Sequence, residues 1–280
     1  MKVYISADIE GVTGLVSWSQ CGRPNSEHYD YAFARRMMTH DVNAAIKGAR
    51  AGGATEVVVK DSHGSMKNLL IDQLEPGTEL ISGTGSGTDG MMQGIDSSFD
   101  AAVLVGYHGM AGTLAGIMEH TYTGGCHRLS INGKPYGEIA LSAGTAGRYG
   151  VPLVAVTSDE AGCAEAAALI PTLATYVTKF GYGRYMGRLL HPSETGPGIE
   201  ETVRKAVTNA KSSGPLVFET PIRITVEYNR SEEADICSTL VGVTRIDAYT
   251  CEGVFPNFAT AQQGTINMLE LGTLGANANR

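Results

Sequence analysis

The sequence predicts an α/β fold: a largely parallel sheet flanked by helices, with a second, smaller α+β domain at the C-terminal end. Three observations carry that expectation. Strand-length apolar runs alternate with helical periodicity through about residue 170, the pattern of a parallel sheet covered by helices. Beyond His191-Pro192 the texture changes to a charged helix, a series of strands and a closing helix. Glycine is abundant, 36 of 280 residues with no fixed period, as expected of many tight loops rather than of a collagen-like chain.

In chain order, Val3, Ile5 and Ala7 alternate with Lys2, Tyr4 and Ser6, so the first strand is expected at residues 2–8. A loop follows with Gly11, Gly14, Gly22 and Pro24. Helical spacing runs from Glu27 to Ala51, with Val42, Ala45, Ile46 and Ala49 on one face, and Gly52-Gly53 closes it. Thr55–Lys60 contains Val57-Val58-Val59, a buried strand. Residues 79–82 read as a short strand before a glycine-rich loop and a short helix near Met91, and Ala101–Val105 is another continuous apolar strand. Residues 121–135 suggest a hairpin or irregular excursion turned at Asn132-Gly133.

A helix is expected from Gly137 to Arg148, a strand over Val151–Val156 and a helix over Glu160–Leu169. The later part predicts a helix over Gly198–Ser212, strands near Ile222–Tyr228, Val241–Ile246 and Thr250–Phe255, and a final helix over Ala259–Leu271. The division is expected between residues 1–187, an α/β metal-binding domain, and residues 188–280, a smaller α+β domain. No internal repeat is visible.

The net charge of −8 gives no basic stripe for nucleic acid, and the longest run of Lys or Arg is Arg35-Arg36. No apolar stretch approaches a membrane span. Asp8 and Glu10 interrupt what would have to be a signal-peptide core. The five cysteines are odd in number, widely spaced and without a Cys-x-x-Cys pair, so reduced thiols in a cytoplasmic protein are expected.

The chemistry lies where strands end. Asp8 closes the first strand, Asp61-Ser62-His63 follows Val57–Val59, and Gly106-Tyr107-His108 follows Ala101–Val105. Parallel strands finish on one edge of their sheet, and ligand sites form outside those ends. Three strands thus deliver Asp8, His63 and His108 to one edge, with Glu10 in reach if the turn after Asp8 curls back. Taken alone, Asp8-x-Glu10 is an Asx-type turn plus a solvated acid, and a single His after a strand is a loop residue. Their convergence reverses that reading. Two carboxylates and two imidazoles form a donor set suited to Zn²⁺, which also relieves the repulsion between the acids.

His120 lies in a glycine-rich loop twelve residues past His108, placed to be a general base, a nucleophile or a further ligand. Glu138 opens a predicted helix, where a first-turn acid needs no function. Asp159-Glu160 also ends a strand and competes for a ligand role, although Asp159 equally suits an N-cap. Asp61 is a candidate partner for a metal-bound histidine or a cap for its loop. Gly85-Ser86-Gly87-Thr88-Asp89-Gly90 fits a dinucleotide fingerprint only in spacing, since it does not follow the first strand. His28, His40 and His191 read as surface or capping residues.

Ser6-Ala7-Asp8-Ile9-Glu10-Gly11, Asp61-Ser62-His63, Gly106-Tyr107-His108, Met118-Glu119-His120 and Gly137-Glu138 resemble, in order and spacing, the D-aminopeptidase DppA family, peptidase family M55. The resemblance spans essentially the whole chain. It implies a binuclear zinc aminopeptidase, with two Zn²⁺ per subunit held by Asp8 (bridging), Glu10, His63, His108 and Glu138, and with His120 as the catalytic histidine. It decides for Glu138 over Asp159. It further implies two domains bordering an active-site groove, a decameric ring of two stacked pentamers, and a short peptide or aminoacyl amide as substrate, of D or L configuration. A metal-stabilised binding protein and a two-metal phosphoesterase are the alternatives. A spare histidine in a carboxylate-rich site argues against the first, and the absence of a basic cluster near the motifs against the second.

Overall fold

The computed structural model describes residues 1–22, 30–85 and 87–277. Two sheets organise the chain. The larger contains β1 (Lys2–Ala7), β2 (Glu56–Asp61), β3 (Glu79–Ile81), β4 (Ala101–Val105), β7 (Leu153–Asp159), β8 (Ala174–Gly183) and β9 (Met186–Leu189), in the order β3-β2-β1-β4-β7-β8-β9. All neighbours run parallel except the β8–β9 hairpin. The expected largely parallel sheet is therefore present. Its strand order reverses direction between β1 and β4, the switch point at which the edge opens a crevice for a ligand.

Alternation along β1 sorts its side chains to two cores. Val3 and Ile5 face α1 (Tyr31–Ala51) and α4 (Pro192–Thr208), whereas Tyr4 faces α2 (Glu138–Arg148) and α3 (Glu160–Leu169). α1 presents Met38, Val42, Ala45, Ile46 and Ala49 to the first core, the stripe expected from spacing. The expected helix start at Glu27, together with Pro24, His28 and Ser86, lies outside the described residues.

The smaller sheet is antiparallel. β5 (Cys126–Ile131), β6 (Lys134–Pro135), β10 (Ile222–Tyr228), β11 (Val243–Arg245) and β12 (Thr250–Phe255) lie in the order β11-β12-β10-β5-β6. It carries α5 (Ser231–Cys237) and α6 (Phe258–Ala276) over a core that includes Leu129, Ile224, Val226, Met268 and Leu269. β5 and β6 form the expected hairpin, with Asn132 and Gly133 at φ 51° and 81°, as a tight antiparallel turn requires.

The two sheets divide the chain differently from a single boundary at 187/188. The hairpin at 126–135 belongs to the smaller sheet, while α4 buries Ile199, Val203 and Val207 in the core of the larger one. α4 also begins at Pro192 rather than Gly198, with His191 as N-cap accepting from Ser193 N–H. Gly196-Pro197-Gly198 hides that first turn from a propensity reading, and packing on α1 overrides it. α5, β8 and β9 are further elements the periodicity does not announce. In β8 the two fully buried side chains are Thr178 and Lys179, so no apolar alternation marks the strand. All five cysteines are buried, and none is joined in a disulfide among the described residues.

Candidate metal centre

The crevice beside β1 and β4 gathers every predicted site residue. Asp8 and Glu10 follow β1, His63 follows β2, His108 follows β4, and Glu138 opens α2. His120 returns on the long loop after β4. All six are buried, none more than 8% exposed.

The turn after β1 approaches the turn after β4 backbone to backbone. Gly11 N–H donates to Gly106 O at 2.8 Å. A Cβ on Gly11 would fall 1.8 Å from Tyr107 O, and one on Gly106, at φ 71°, would fall 2.5 Å from Asp8 O. Neither position accepts a side chain, which is why both motifs carry glycine beside the functional residue.

His63 Nδ1 lies 3.1 Å from Asp8 Oδ1 and 3.1 Å from Glu10 Oε2. His108 Nε2 lies 3.5 Å from both Asp8 Oδ2 and Glu138 Oε1. Among the described residues, two donor groups with ligand atoms mutually within 4.8 Å are Asp8–Glu10–His63 and Asp8–His108–Glu138. Asp8 is common to both. A third group, Glu10–His108–His120, shows that His120 is also within ligand reach.

Backbone contacts fix the imidazoles. His108 Nδ1–H donates to Gly109 O at 3.0 Å and His120 Nδ1–H to Met118 O at 3.0 Å, since a carbonyl can only accept. Each therefore turns Nε2 inward. Glu10 Oε2, His63 Nε2 and His108 Nε2 are buried without a hydrogen-bond partner among the described residues. Buried polar atoms are ordinarily paired, so this cluster of orphans with a carboxylate and imidazole donor set fits Zn²⁺.

Electrostatics points the same way. Burial alone would pull the His63 imidazole down, but Glu10 and Asp8 overturn this and hold it up at about 10. His108 is likewise carried well above its ordinary value, against burial, by Glu138 and Asp8. Burial would raise Asp8 and Glu138, yet the neighbouring imidazoles hold both carboxyls low. In the metal-free protein, protons on His63 and His108 thus occupy the cationic role. His120 behaves oppositely: burial and the charge of His108 push it below its ordinary value.

The loop carrying His120 is tied at many points. Ile117 N–H donates to Asp159 Oδ2 at 2.7 Å, Met118 N–H to Arg184 O at 2.8 Å, and Tyr122 N–H to Glu138 Oε1 at 2.7 Å. Met118 and Tyr122, on either side of His120, hold φ 55° and 57°, a left-handed conformation costing on the order of 1–3 kcal/mol each, and the ties sustain it. The Trp18 ring meets His120 edge-on, with centroids 5.0 Å apart.

Two candidates take supporting places. Asp159 caps α3 through Gly162 N–H at 2.8 Å and anchors Ile117, and it joins no donor group among the described residues. Asp61 accepts from the backbone N–H groups of Asn68 and Leu69 and from the Asn68 side chain, bracing the loop that carries His63. Of its two sequence readings, the structure shows the loop cap. Residues the motifs do not single out include Lys179 under the Glu10 turn, Glu165 beside the His120 loop and Trp18. None lies in a motif block, and Lys179 sits in a strand without apolar alternation.

A family model described as D-aminopeptidase, peptidase M55, matches residues 1–265. The chain is 33% identical over 275 residues to a D-aminopeptidase of Bacillus subtilis (strain 168), covering 97% of each. It also matches the solved structure of the Zn-dependent D-aminopeptidase DppA from Bacillus subtilis, described as a self-compartmentalizing protease. That match has a TM-score of 0.92 and 32% identity over 98% of both chains.

Proposed function

The chain belongs to the D-aminopeptidase family, peptidase M55, and from that premise we propose that it removes the N-terminal amino acid from short peptides or aminoacyl amides using two Zn²⁺ per subunit. The observation that carries the proposal is the pair of buried donor groups sharing Asp8. In this reading Asp8 bridges, Glu10 and His63 complete one side, and His108 and Glu138 the other. The zinc-dependent relative of the same fold supports the choice of metal.

When bound, zinc supplies Lewis acidity at the scissile carbonyl and lowers the pKa of the attacking water. The remaining work belongs to the chain. His120 stays neutral near pH 7, because burial and His108 lower its proton affinity, and its Nε2 is the free lone pair. It lies 3.7 Å from Glu138 Oε1 and 4.0 Å from Glu10 Oε1, placed to accept the proton released by attack and return it to the departing amine. The residues of the centre are buried, which keeps bulk water from the reacting bond.

The D configuration is the proposed handedness, supported by the names of the family and of both relatives. Assembly into a closed ring, a decamer by family resemblance, is proposed on the self-compartmentalizing relative. It is supported by Leu114, Tyr182, Tyr185 and Met186, which are 94%, 65%, 52% and 66% exposed. A cytoplasmic setting is proposed on five cysteines that form no disulfide among the described residues. No helix among the described residues is long and apolar enough to cross a membrane.

Paired D- and L-aminoacyl amides and dipeptides, assayed with added zinc, test the substrate. Faster release from the D member of each pair is expected. Preferential release from the L member would overturn the stereochemical assignment, and no release from any pair would overturn the aminopeptidase reading.

A further inference from the structure

Asp8 can be delivered by a strand end alone, but Glu10 cannot. It reaches the same centre only because the turn after β1 curls back, and something has to hold that curl. The neighbouring residues Thr178 and Lys179 of β8 lie beneath it, both fully buried. The Lys179 ammonium donates to the carbonyls of Glu10, Val12 at 2.9 Å and Leu15 at 2.7 Å. Three donors thus meet three acceptors, all from one turn. Thr178 Oγ1 lies 2.6 Å from the intervening carbonyl of Gly11. No carboxylate lies within ion-pair distance of Lys179 among the described residues.

A lysine buried without an ion-pair partner is costly unless its charge is fully hydrogen-bonded, and here the backbone of one turn does all of it. All three acceptors are carbonyls of the single turn that follows β1. Their convergence requires the chain to arc around Nζ, and the arc turns the Glu10 side chain toward Asp8 and His63.

We propose that Lys179 is a positioning residue for the metal centre, setting the turn that brings Glu10 into the Asp8–Glu10–His63 half of the site. This rests on the two-zinc reading above. Removing the ammonium leaves three buried carbonyls without their donor and frees the turn to straighten, so the half that depends on Glu10 weakens. The half formed by Asp8, His108 and Glu138 does not depend on that turn beyond Asp8, whose own N–H is held by Val105 O at 2.8 Å.

The experiment is zinc titration of the chelator-stripped full chain by calorimetry, with zinc content per chain after dialysis. Wild type is compared with Lys179→Met, Lys179→Gln and Glu10→Gln, and folding is checked by circular dichroism. The expected result is that Lys179→Met loses roughly 10–100-fold in affinity at one of its two zinc sites, as changes to supporting residues do, matches Glu10→Gln in which site it loses, and keeps the other. Lys179→Gln, which retains two N–H donors, should fall between wild type and Lys179→Met. If Lys179→Met does not fold, Lys179→Gln carries the comparison. A folded variant that binds both zinc ions with wild-type affinity, even if its melting temperature drops, overturns the proposal. Equal weakening at both sites overturns it too. Wild type binding no zinc would instead overturn the two-zinc reading.

Discussion

His120 stacks on His108, with ring centroids 4.2 Å apart and planes inclined by 14°. The stack places the one histidine of the centre with lowered basicity against one whose basicity is raised. A charge on His108, from a proton or from a bound metal, disfavours a second charge on His120, which keeps its Nε2 available to accept a proton. The division of labour between the rings follows from their contact.

His120→Ala should therefore lower kcat by about 10²–10⁴, the usual contribution of a positioned acid–base group, without removing zinc. Steady-state kinetics with metal analysis on the same sample reads both. Full activity in the variant removes His120 from the mechanism. Loss of zinc in parallel with activity would make it a ligand, as its place in the Glu10–His108–His120 group permits.

Asp8→Ala removes the residue common to both donor groups, so both zinc ions should be lost together. Zinc content after dialysis checks this. Retention of one ion would make Asp8 a ligand of one side only.

Zinc binding should release protons. His63, held up near 10, and His108 carry protons in the metal-free centre, and both must give them up to bind. The raised values set the sign: zinc affinity rises with pH across the neutral range, because fewer protons remain to displace. Calorimetry in buffers of different ionisation enthalpy should show about two protons released per chain. Heats independent of buffer would show that the imidazoles are already neutral.

Much of this centre is legible in the sequence because its residues follow apolar strands. Val57–Val59 and Ala101–Val105 mark where their strands end, and so where His63 and His108 emerge. Glu138 is different. It and Asp159 both stand at helix starts, which local pattern does not separate; the family resemblance chooses Glu138, and in the structure Asp159 is spent on Gly162 and Ile117 while Glu138 faces His108. Lys179 is hidden for another reason: periodicity detects buried apolar residues, whereas β8 buries a threonine and a lysine. The contribution of 126–135 to the smaller sheet is a long-range pairing, Ile224 with Ile131 and Val226 with Leu129, which local pattern does not encode.

Glu165 gives a stability prediction. Its Oε2 accepts Met110 N–H at 2.7 Å, its Oε1 is buried without a partner, and burial pushes the carboxyl up to about 7. A carboxyl raised in the folded state contributes stability that is full below the unfolded value of 4.5 and lost as pH rises through about 7. For this partly enclosed side chain the loss is roughly 2 kcal/mol. Urea unfolding of the chelator-treated protein should show Glu165→Gln gaining on wild type by about that much between pH 5 and 8. Parallel pH dependences would show that Glu165 does not titrate in this window.

Reconstitution with zinc reads whether catalysis depends on two ions that share Asp8. Chelator-stripped protein is titrated with zinc while turnover of a D-aminoacyl amide is followed. Expected are no turnover without metal and full recovery at about two equivalents per chain, with Asp8→Ala silent at every zinc concentration. Undiminished turnover in the stripped protein, or full recovery in Asp8→Ala, would contradict it.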